Sequence, residues 1–280
     1  MTTEQQNIPR AVLYSWPSSV WSTVPRLCLY EKGYSEDEYI VKYVDITKGE
    51  NFSPSYLKIN INGTVPTLIV PTLETIGAGV NTRYRSLRDT VSICDFLDQA
   101  RSSHTANTSS DKPAPTLTPA TIDGKALSDS VIELVHRPIV DPNFIALSAL
   151  NNEELKRKLR SGPGKSLAIR REALQSYLAE AQKIASESSV ASKEGSFTFE
   201  QKIVQFLEDK LRSSEDVWQL YHGQAGEEKL RQFFDISLKT WTERLPEVFG
   251  KLEEMIEEPY FLGDQIVSCI FYLSIKGQSS

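Results

Sequence analysis

Gly63-Thr64-Val65-Pro66-Thr67-Leu68-Ile69-Val70, followed by Arg88-Asp89-Thr90-Val91-Ser92-Ile93-Cys94-Asp95-Phe96-Leu97-Asp98, decides how this chain is read. The first segment runs from a turn through a proline into a strand. Val65, Leu68, Ile69 and Val70 are apolar and mostly β-branched, which suits a half-buried pleated surface. Pro66 stands at the strand's start, where a missing N–H is tolerated. Asp89 and Thr90 then open a helix, because a short polar acceptor there can bond the free N–H groups of the first turn. Val91, Ile93, Cys94 and Leu97 supply that helix's buried side. Together the segments predict a recess with backbone donors and acceptors at one end and a helix N-terminus at the other. Such a recess suits a small anionic ligand.

Outward from this stretch, residues 11 to 15, Ala-Val-Leu-Tyr-Ser, read as a first strand. Trp16-Pro17-Ser18-Ser19-Val20-Trp21-Ser22-Thr23 is a hydroxyl-rich turn. A helix follows, with Val24, Leu27, Cys28 and Tyr30 as its apolar side, Pro25 in its first turn and Gly33 at its stop. Residues 39 to 45 alternate as a second strand, and residues 52 to 59 form a short helix. The return strand at residues 84 to 87 leads into the helix at 89 to 98. Between Val70 and Arg88 the hairpin carries a long insertion, Pro71 to Gly79, which reads as a lid, a contact surface or an inert loop.

This order is that of a thioredoxin-like fold (βαβαββα). The Val65-Pro66 turn, the Asp89-Thr90 helix start and the Glu31-Lys32-Gly33 helix end resemble the glutathione-binding half of the glutathione transferase family, in its serine-type, fungal-like branch. The resemblance covers roughly residues 11 to 98. It implies a cis Val65-Pro66 bond, with the Val65 backbone pairing with the cysteinyl part of glutathione. It implies that Asp89 and Thr90, in place of the usual Glu-Ser, hold the γ-glutamyl end. Glutathione-binding residues are then Asn51, Thr64, Val65, Pro66, Asp89 and Thr90. Ser19 becomes the catalytic hydroxyl, donating to the glutathione sulfur and favouring the thiolate. Ser18, Ser19 and Ser22 also read as turn and cap residues, and Ser22 is the second candidate for Ser19's role. The Cys-x-x-Cys of dithiol redox proteins is replaced here by Ser19 and Ser22.

Residues 101 to 125 are rich in Ser, Thr, Pro and Ala and read as an interdomain linker, flexible or partly extended. The domains expected are 1–100, thioredoxin-like, and 126–280, all-helical. Helical patterns run over residues 128 to 136, 151 to 160, 166 to 182, 199 to 211 and 227 to 256. The last holds Leu230, Phe233, Phe234, Leu238, Trp241, Leu245, Val248, Phe249, Leu252, Met255 and Ile256 on one stripe. Pro246 should kink or split it.

The family's helical domain turns into a central helix at a segment like Pro259-Tyr260-Phe261-Leu262-Gly263-Asp264. Here Val267-Ser268 replaces the usual capping pattern and the chain ends at Ser280. Val-Ser is what a common intron donor would encode if read through, so a truncated or mis-spliced ending is expected, a real short isoform being the alternative.

With 280 residues, 40% hydrophobic and 24% charged, the chain is long enough for one large or two modest domains with a sizeable core. A net charge of -6 argues against a nucleic-acid partner. No apolar run is long enough to span a bilayer, and the N-terminus lacks the pattern of a signal peptide. Cys28, Cys94 and Cys269 have no metal-like spacing; the first two read as small core residues in a reducing cytosol. His104, His136 and His222 are scattered, so no metal is expected. Gly162-Pro163-Gly164-Lys165-Ser166 ends like a phosphate-binding loop, but Leu159 stands where the first glycine belongs, and it reads as a helix break. Glu253-Glu254 and Glu257-Glu258 read as a solvated helix end.

The resemblance implies conjugation of glutathione, as co-substrate, to a small hydrophobic electrophile by a cytoplasmic homodimer. Glutathione-dependent isomerase, etherase and peroxidase activities stand beside it, as does a transferase-fold binding or regulatory protein without turnover.

Overall fold

The computed structural model describes residues 10–71, 84–105, 108–189, 198–256 and 267. The hairpin insertion after Pro71 and the segment 257–280, Val267 apart, lie outside the described residues. The chain divides into two compact units: Met1–Val44, Thr64–Val135 and Leu252–Ser280, and Asp45–Gly63 with His136–Lys251.

The first unit is built on a four-stranded sheet of β1 (Ala11–Ser15), β2 (Tyr39–Tyr43), β3 (Thr67–Pro71) and β4 (Tyr84–Leu87). Its order is β2-β1-β3-β4, with β1 and β2 parallel and the other pairs antiparallel. This mixed order is that of the thioredoxin-like fold. Thr67, Leu68 and Val70 of β3 are all buried, as befits a central strand covered on both faces.

α1 (Val20–Glu31) and α3 (Thr90–Ala100) pack together. Their contact is made of small apolar groups: Cys28 lies with its Sγ 3.8 Å from the Cys94 carbonyl, and Val24, Leu29, Ile93 and Leu97 are buried beside it. The buried face of α1 is therefore Ser22, Val24, Pro25, Cys28 and Leu29. Tyr30, expected on that face, is 73% exposed, and Leu27 sits at its margin. At about 100° per residue, Leu29 follows Pro25 and Cys28 on one side while Tyr30 points away. The Tyr30 ring, expected as core from its spacing, lies off the buried face.

The far ends of α1 and α3 meet in a buried polar knot. Lys32, 1% exposed, sets its Nζ 2.9 Å from Asp98 Oδ1 and donates to the Pro115 carbonyl at 2.7 Å. Asp98 also accepts from Leu117 N–H at 2.9 Å and from the Thr118 N–H and hydroxyl at 3.0 and 2.8 Å. Arg101 donates to the Lys32 carbonyl at 2.7 Å and the Lys112 carbonyl at 2.8 Å, and it also bonds the Thr108 hydroxyl. The segment expected as a flexible linker is thus held by main-chain bonds to two helix ends. α4 (Ile122–Val135) begins six residues before the expected start, with the Thr121 hydroxyl accepting from Gly124 N–H at 3.0 Å. Composition does not distinguish a capping threonine from a linker threonine.

The second unit takes in a 3₁₀ turn (Glu50–Phe52), α2 (Pro54–Leu57), α5 (Pro142–Leu147), α6 (Asn152–Leu159), α7 (Gly162–Ser189), α8 (Phe199–Tyr221), α9 (Glu227–Lys239) and most of α10 (Leu245–Glu254). α7 and α8 bury Leu174, Ala181, Ile203 and Leu207 together with Phe52 and Leu57. A second cluster joins Ala149, Leu155, Leu167 and Tyr221. α9 and α10 are the one long pattern expected from the sequence, divided by a π-helical turn at Thr240–Arg244. Pro246 offers no N–H to the carbonyl four residues back, and the wider turn absorbs the mismatch.

The Gly162-Pro163-Gly164 segment is a helix break followed at once by a helix start. α6 ends at Leu159, and the first turn of α7 is closed by Lys165 N–H to the Ser161 carbonyl at 3.1 Å. A Cβ at Gly164 would stand 2.0 Å from the Leu159 carbonyl oxygen, whereas one at Gly162 meets nothing within 4 Å among the described residues. Gly164 is there for a close backbone approach.

Two stability predictions follow from these contacts. Gly164→Ala should cost about 1–3 kcal/mol through forced backbone displacement, while Gly162→Ala should be neutral or stabilising; denaturant unfolding of the two variants checks this. Lys32→Met should cost about 3–5 kcal/mol by leaving Asp98 a buried charge without its cation. Burial pushes the Asp98 carboxyl up, but the bonds from Lys32, Leu117 and Thr118 together outweigh it, so its net shift is downward. A depressed carboxyl contributes stability above its unfolded value and loses it as pH falls through the folded value. The gap between wild type and Lys32→Met should therefore narrow in acid, read as denaturant midpoints at pH 7 and pH 3.

Candidate functional site

Strand register brings three chain segments to one end of the sheet. Tyr14 of β1 pairs with Thr67 of β3, and Leu68 of β3 pairs with Leu87 of β4. The C-terminal ends of β1 and β4 therefore flank the N-terminal end of β3. β1 leads through the Trp16–Ser19 turn into α1, β4 leads through Arg88 and Asp89 into α3, and β3 is entered from Val65-Pro66. Two helix N-termini, each of about half a positive charge, thus stand at the same edge.

Val65-Pro66 is a cis peptide bond. The Val65 side chain is buried, and its main-chain N–H and C=O take no partner among the described residues, since pairing of β3 begins at Thr67. Thr64 is exposed, and its carbonyl accepts from the Thr67 hydroxyl at 3.2 Å. Here, then, is an unpaired donor–acceptor pair from one residue, the arrangement an extended peptide backbone can bond to.

Asp89 is the N-cap of α3: its Oδ1 accepts from Ser92 N–H at 2.8 Å, and the side chain is exposed, leaving Oδ2 to solvent. Thr90 is buried except at its surface edge, and its hydroxyl makes no hydrogen bond among the described residues. This pair presents a carboxylate oxygen and a hydroxyl at a helix start.

Ser19 is the N-cap of α1, 8% exposed, with its Oγ accepting from Ser22 N–H at 3.3 Å. The cap uses an oxygen lone pair and leaves the O–H proton for another acceptor. Ser22 is wholly buried, and its Oγ accepts from Trp16 N–H at 3.4 Å. That hydroxyl is directed into the turn, so Ser22 braces Ser19 from beneath: its N–H holds the Ser19 oxygen while its own oxygen closes the Trp16 turn. The sequence offered both serines; Ser19 is 8% exposed and Ser22 not at all.

Asn51 belongs to the second unit, on the 3₁₀ turn. Its Nδ2 donates to the Gly63 carbonyl at 2.8 Å, and its Oδ1 is buried without a partner. The described residues contain no group of three or more His, Cys, Asp or Glu that could hold a metal. None of their helices is long and apolar enough to cross a membrane. The pairing of Lys32 with Asp98 and the anchoring of residues 108–118 were missed in the sequence. The one available signal was a lysine and an aspartate each placed at the end of an apolar helix face.

Residues 13–108 match the family model "Glutathione S-transferase, N-terminal domain". A glutathione S-transferase of the zeta class from Euphorbia esula is 44% identical over 66 residues, 24% of this chain and 28% of the relative. The match thus spans little more than a quarter of that protein. Among solved structures, glutathione transferase Omega 3C from Trametes versicolor aligns over 96% of this chain and 72% of its own, at 16% identity and a TM-score of 0.44. A glutathione transferase family member from Pseudomonas fluorescens, solved with two glutathione bound, aligns over 94% and 92%, at 14% identity and a TM-score of 0.37. Residues 13–108, which form the sheet with its cis Val65-Pro66 turn and Asp89-capped helix, are thus similar to the N-terminal domain of glutathione S-transferases.

Proposed function

We propose that the protein binds reduced glutathione and conjugates it, through its sulfur, to a small hydrophobic electrophile. The observation that carries this reading is the unpaired N–H and C=O of Val65 at a sheet edge that also holds the N-termini of α1 and α3. In this reading Val65 pairs with the cysteinyl backbone, and Pro66 fixes the turn that presents it. Asp89 Oδ2 takes the γ-glutamyl ammonium, and the Thr90 hydroxyl donates to the γ-glutamyl carboxylate, which also lies against the α3 N-terminus. Thr64 completes the ligand's contacts within this unit; Asn51 is assigned to glutathione by the family likeness alone.

Ser19 O–H donates to the sulfur and stabilises it as thiolate, the thiol proton passing to solvent. A shift of one pKa unit is worth about 1.4 kcal/mol. The thiolate then attacks an electrophilic carbon; a C–S bond forms, and the leaving group departs with its electron pair or the π electrons move onto an acceptor. A homodimer and a cytoplasmic setting are part of the proposal, and both are carried by the family likeness alone. Isomerisation, ether cleavage and peroxide reduction would begin from the same thiolate. A binding protein without turnover would keep the Val65 and Thr90 contacts and need nothing of Ser19.

Titration calorimetry tests the binding. Glutathione should give saturable heat, and Thr90→Ala should weaken it by about 1.5–3 kcal/mol through loss of a hydrogen bond to a charged group. Absence of heat at millimolar glutathione would sink the reading.

The two serines should part in kinetics. Ser19→Ala and Ser19→Gly should lower turnover far more than glutathione affinity and raise the pKa of bound glutathione, read by thiolate absorbance. Glycine costs the cap only a few tenths of a kcal/mol, against about 0.5–2 for alanine, so agreement between the variants separates catalysis from stability. Ser22→Ala should lower the melting temperature first. An unchanged thiol pKa in both Ser19 variants would remove Ser19 from the catalytic role.

A further inference from the structure

The junction of α6 and α7 carries a charge for which the glutathione chemistry has no use. Lys156, Arg157, Lys158, Arg160 and Lys165 fall within ten positions, and no Asp or Glu stands between residues 155 and 171, in a chain whose net charge is -6. Lys158 turns inward and donates to the Ala146 and Ser148 carbonyls. Lys156 and Arg157 meet Glu153 at 3.0 Å and Glu154 at 3.8 Å, surface contacts of little strength. Arg160 and Lys165 are exposed and make no ion pair among the described residues. Between these two cations stands Ser161.

Ser161 is exposed and links the two helices. Its N–H and its hydroxyl both donate to the Lys158 carbonyl, at 3.1 and 2.9 Å, and so close α6. Its own carbonyl accepts from Lys165 N–H at 3.1 Å and so opens α7. The N–H groups of Gly162 and Gly164 in that first turn take no partner among the described residues, and Pro163 has no N–H to offer. The chain also holds a built-in comparison: Lys158-Leu159-Arg160-Ser161 recurs letter for letter as Lys210-Leu211-Arg212-Ser213. Ser213 is exposed too, but it lies in the interior of α8, its hydroxyl donating to the Asp209 carbonyl at 2.9 Å. There Arg212 is paired with Asp209 at 3.5 Å, and Glu215 and Asp216 follow directly.

We propose that Ser161 is a phosphorylation site, modified by a protein kinase that reads basic residues ahead of its acceptor, and that Ser213 is not. Ser161 Oγ attacks the γ-phosphorus of ATP. An O–P bond forms as the bond to the β-phosphate oxygen breaks, ADP leaves, and the hydroxyl proton passes to the kinase's carboxylate base. A kinase cleft takes its acceptor segment extended. At Ser161 that requires opening only the last turn of an eight-residue helix, a length that is marginal by itself. At Ser213 the middle of a 23-residue helix would have to unwind. Once formed, the phosphate on Ser161 lies at the open end of a 28-residue helix, beside Arg160 and Lys165, where both the dipole and the cations favour it. On Ser213 it would face Asp209, Glu215 and Asp216 with no free helix end to receive it. Phosphorylation of Ser161 thus ties α6 to α7 and lowers the positive charge of this surface.

The test uses the full chain, ATP and two purified kinases of this class, the cyclic-AMP-dependent enzyme and protein kinase C, with the phosphate located by peptide mass spectrometry. At least one kinase should modify Ser161. Ser161→Ala should remove that signal, and Ser213→Ala should leave it. Arg160→Gln should slow the modification by about tenfold or more, the range for one lost charge-assisted contact. Phosphoserine incorporated during translation at either position gives a second readout that needs no kinase. At position 161 it should raise the melting temperature by about 1–4 °C. The gain should shrink in high salt and below about pH 6, where the phosphate loses its second charge. At position 213 phosphoserine should lower the melting temperature. Absence of phosphate on Ser161 with both kinases, modification of Ser213 at an equal or greater rate, or a melting temperature that phosphoserine at 161 leaves unchanged or lowers, each overturns the proposal.

Discussion

The contact between the Lys32 ammonium and the Asp98 carboxylate holds the first unit in its shape. Each charge would be costly to bury alone. Together, with the Pro115 carbonyl on the lysine and three donors from Leu117 and Thr118 on the aspartate, their hydrogen-bonding capacity is largely met inside the protein. The pair sits where α1 and α3 end, so it fixes the two helices at their C-terminal ends while Cys28 and Cys94 let them approach closely along their length. Arg101 extends the same network to residues 108 and 112, with Glu38 accepting from the Thr108 hydroxyl at 2.6 Å. The chain leaving α3 is thereby bound to the domain it has just completed.

Fixing the C-terminal ends of α1 and α3 has its consequence at their other ends. The N-termini of both helices stand at the sheet edge that carries Val65, and their caps, Ser19 and Asp89, are the residues proposed to meet the ligand. A capping side chain satisfies one of four orphan N–H groups. The rest keep their positive potential for an anion. In that proposal Ser19 and Asp89 act twice: one lone pair holds the helix, and the remaining O–H or carboxylate oxygen is left for the ligand. Ser22 makes this possible by supplying the N–H that orients Ser19 while its own hydroxyl is taken up by Trp16.

How far all this could be read from the sequence depends on the range of the interaction. Strand β1, the return strand β4, the Asp89 cap and the proline-divided last helix were legible because each follows from periodicity or from one residue's backbone chemistry. The role of residues 101 to 118 was not. Its Ser, Thr and Pro content matches a flexible linker, and what holds it are side chains 7 to 83 positions earlier, Lys32, Asp98 and Arg101 among them, whose partners no local pattern names. Ser19 and Ser22 are indistinguishable as letters; only the depth of the turn, slightly less at Ser19 than at the wholly buried Ser22, separates them. Tyr30 shows the converse error, in which an aromatic was counted toward a helix face that it misses by about a quarter turn or more.

Arg170 raises a question of energetic balance within the same molecule. Lys32 is buried and neutralised; Arg170 is partly buried and is not. An aromatic face offsets part of a cation's desolvation, by about 0.5–2 kcal/mol, so Phe52 makes the arrangement tolerable without making it favourable. Helix α7 has acidic residues to spare: Glu172 and Glu180 lie within three turns of Arg170 on the same helix. At two, three or four positions from Arg170, residues 172, 173 and 174 place Glu172 on a different face and put Ala173 and Leu174 where an intrahelical carboxylate would reach it. Ala173 meets Gly49, and Leu174 is wholly buried in the core with Phe52. Toward the C-terminus of α7, the two positions from which the helix could neutralise Arg170 are thus occupied by small or apolar groups that packing requires. The same packing that seats Phe52 beneath the guanidinium leaves its charge without an intrahelical partner on that side.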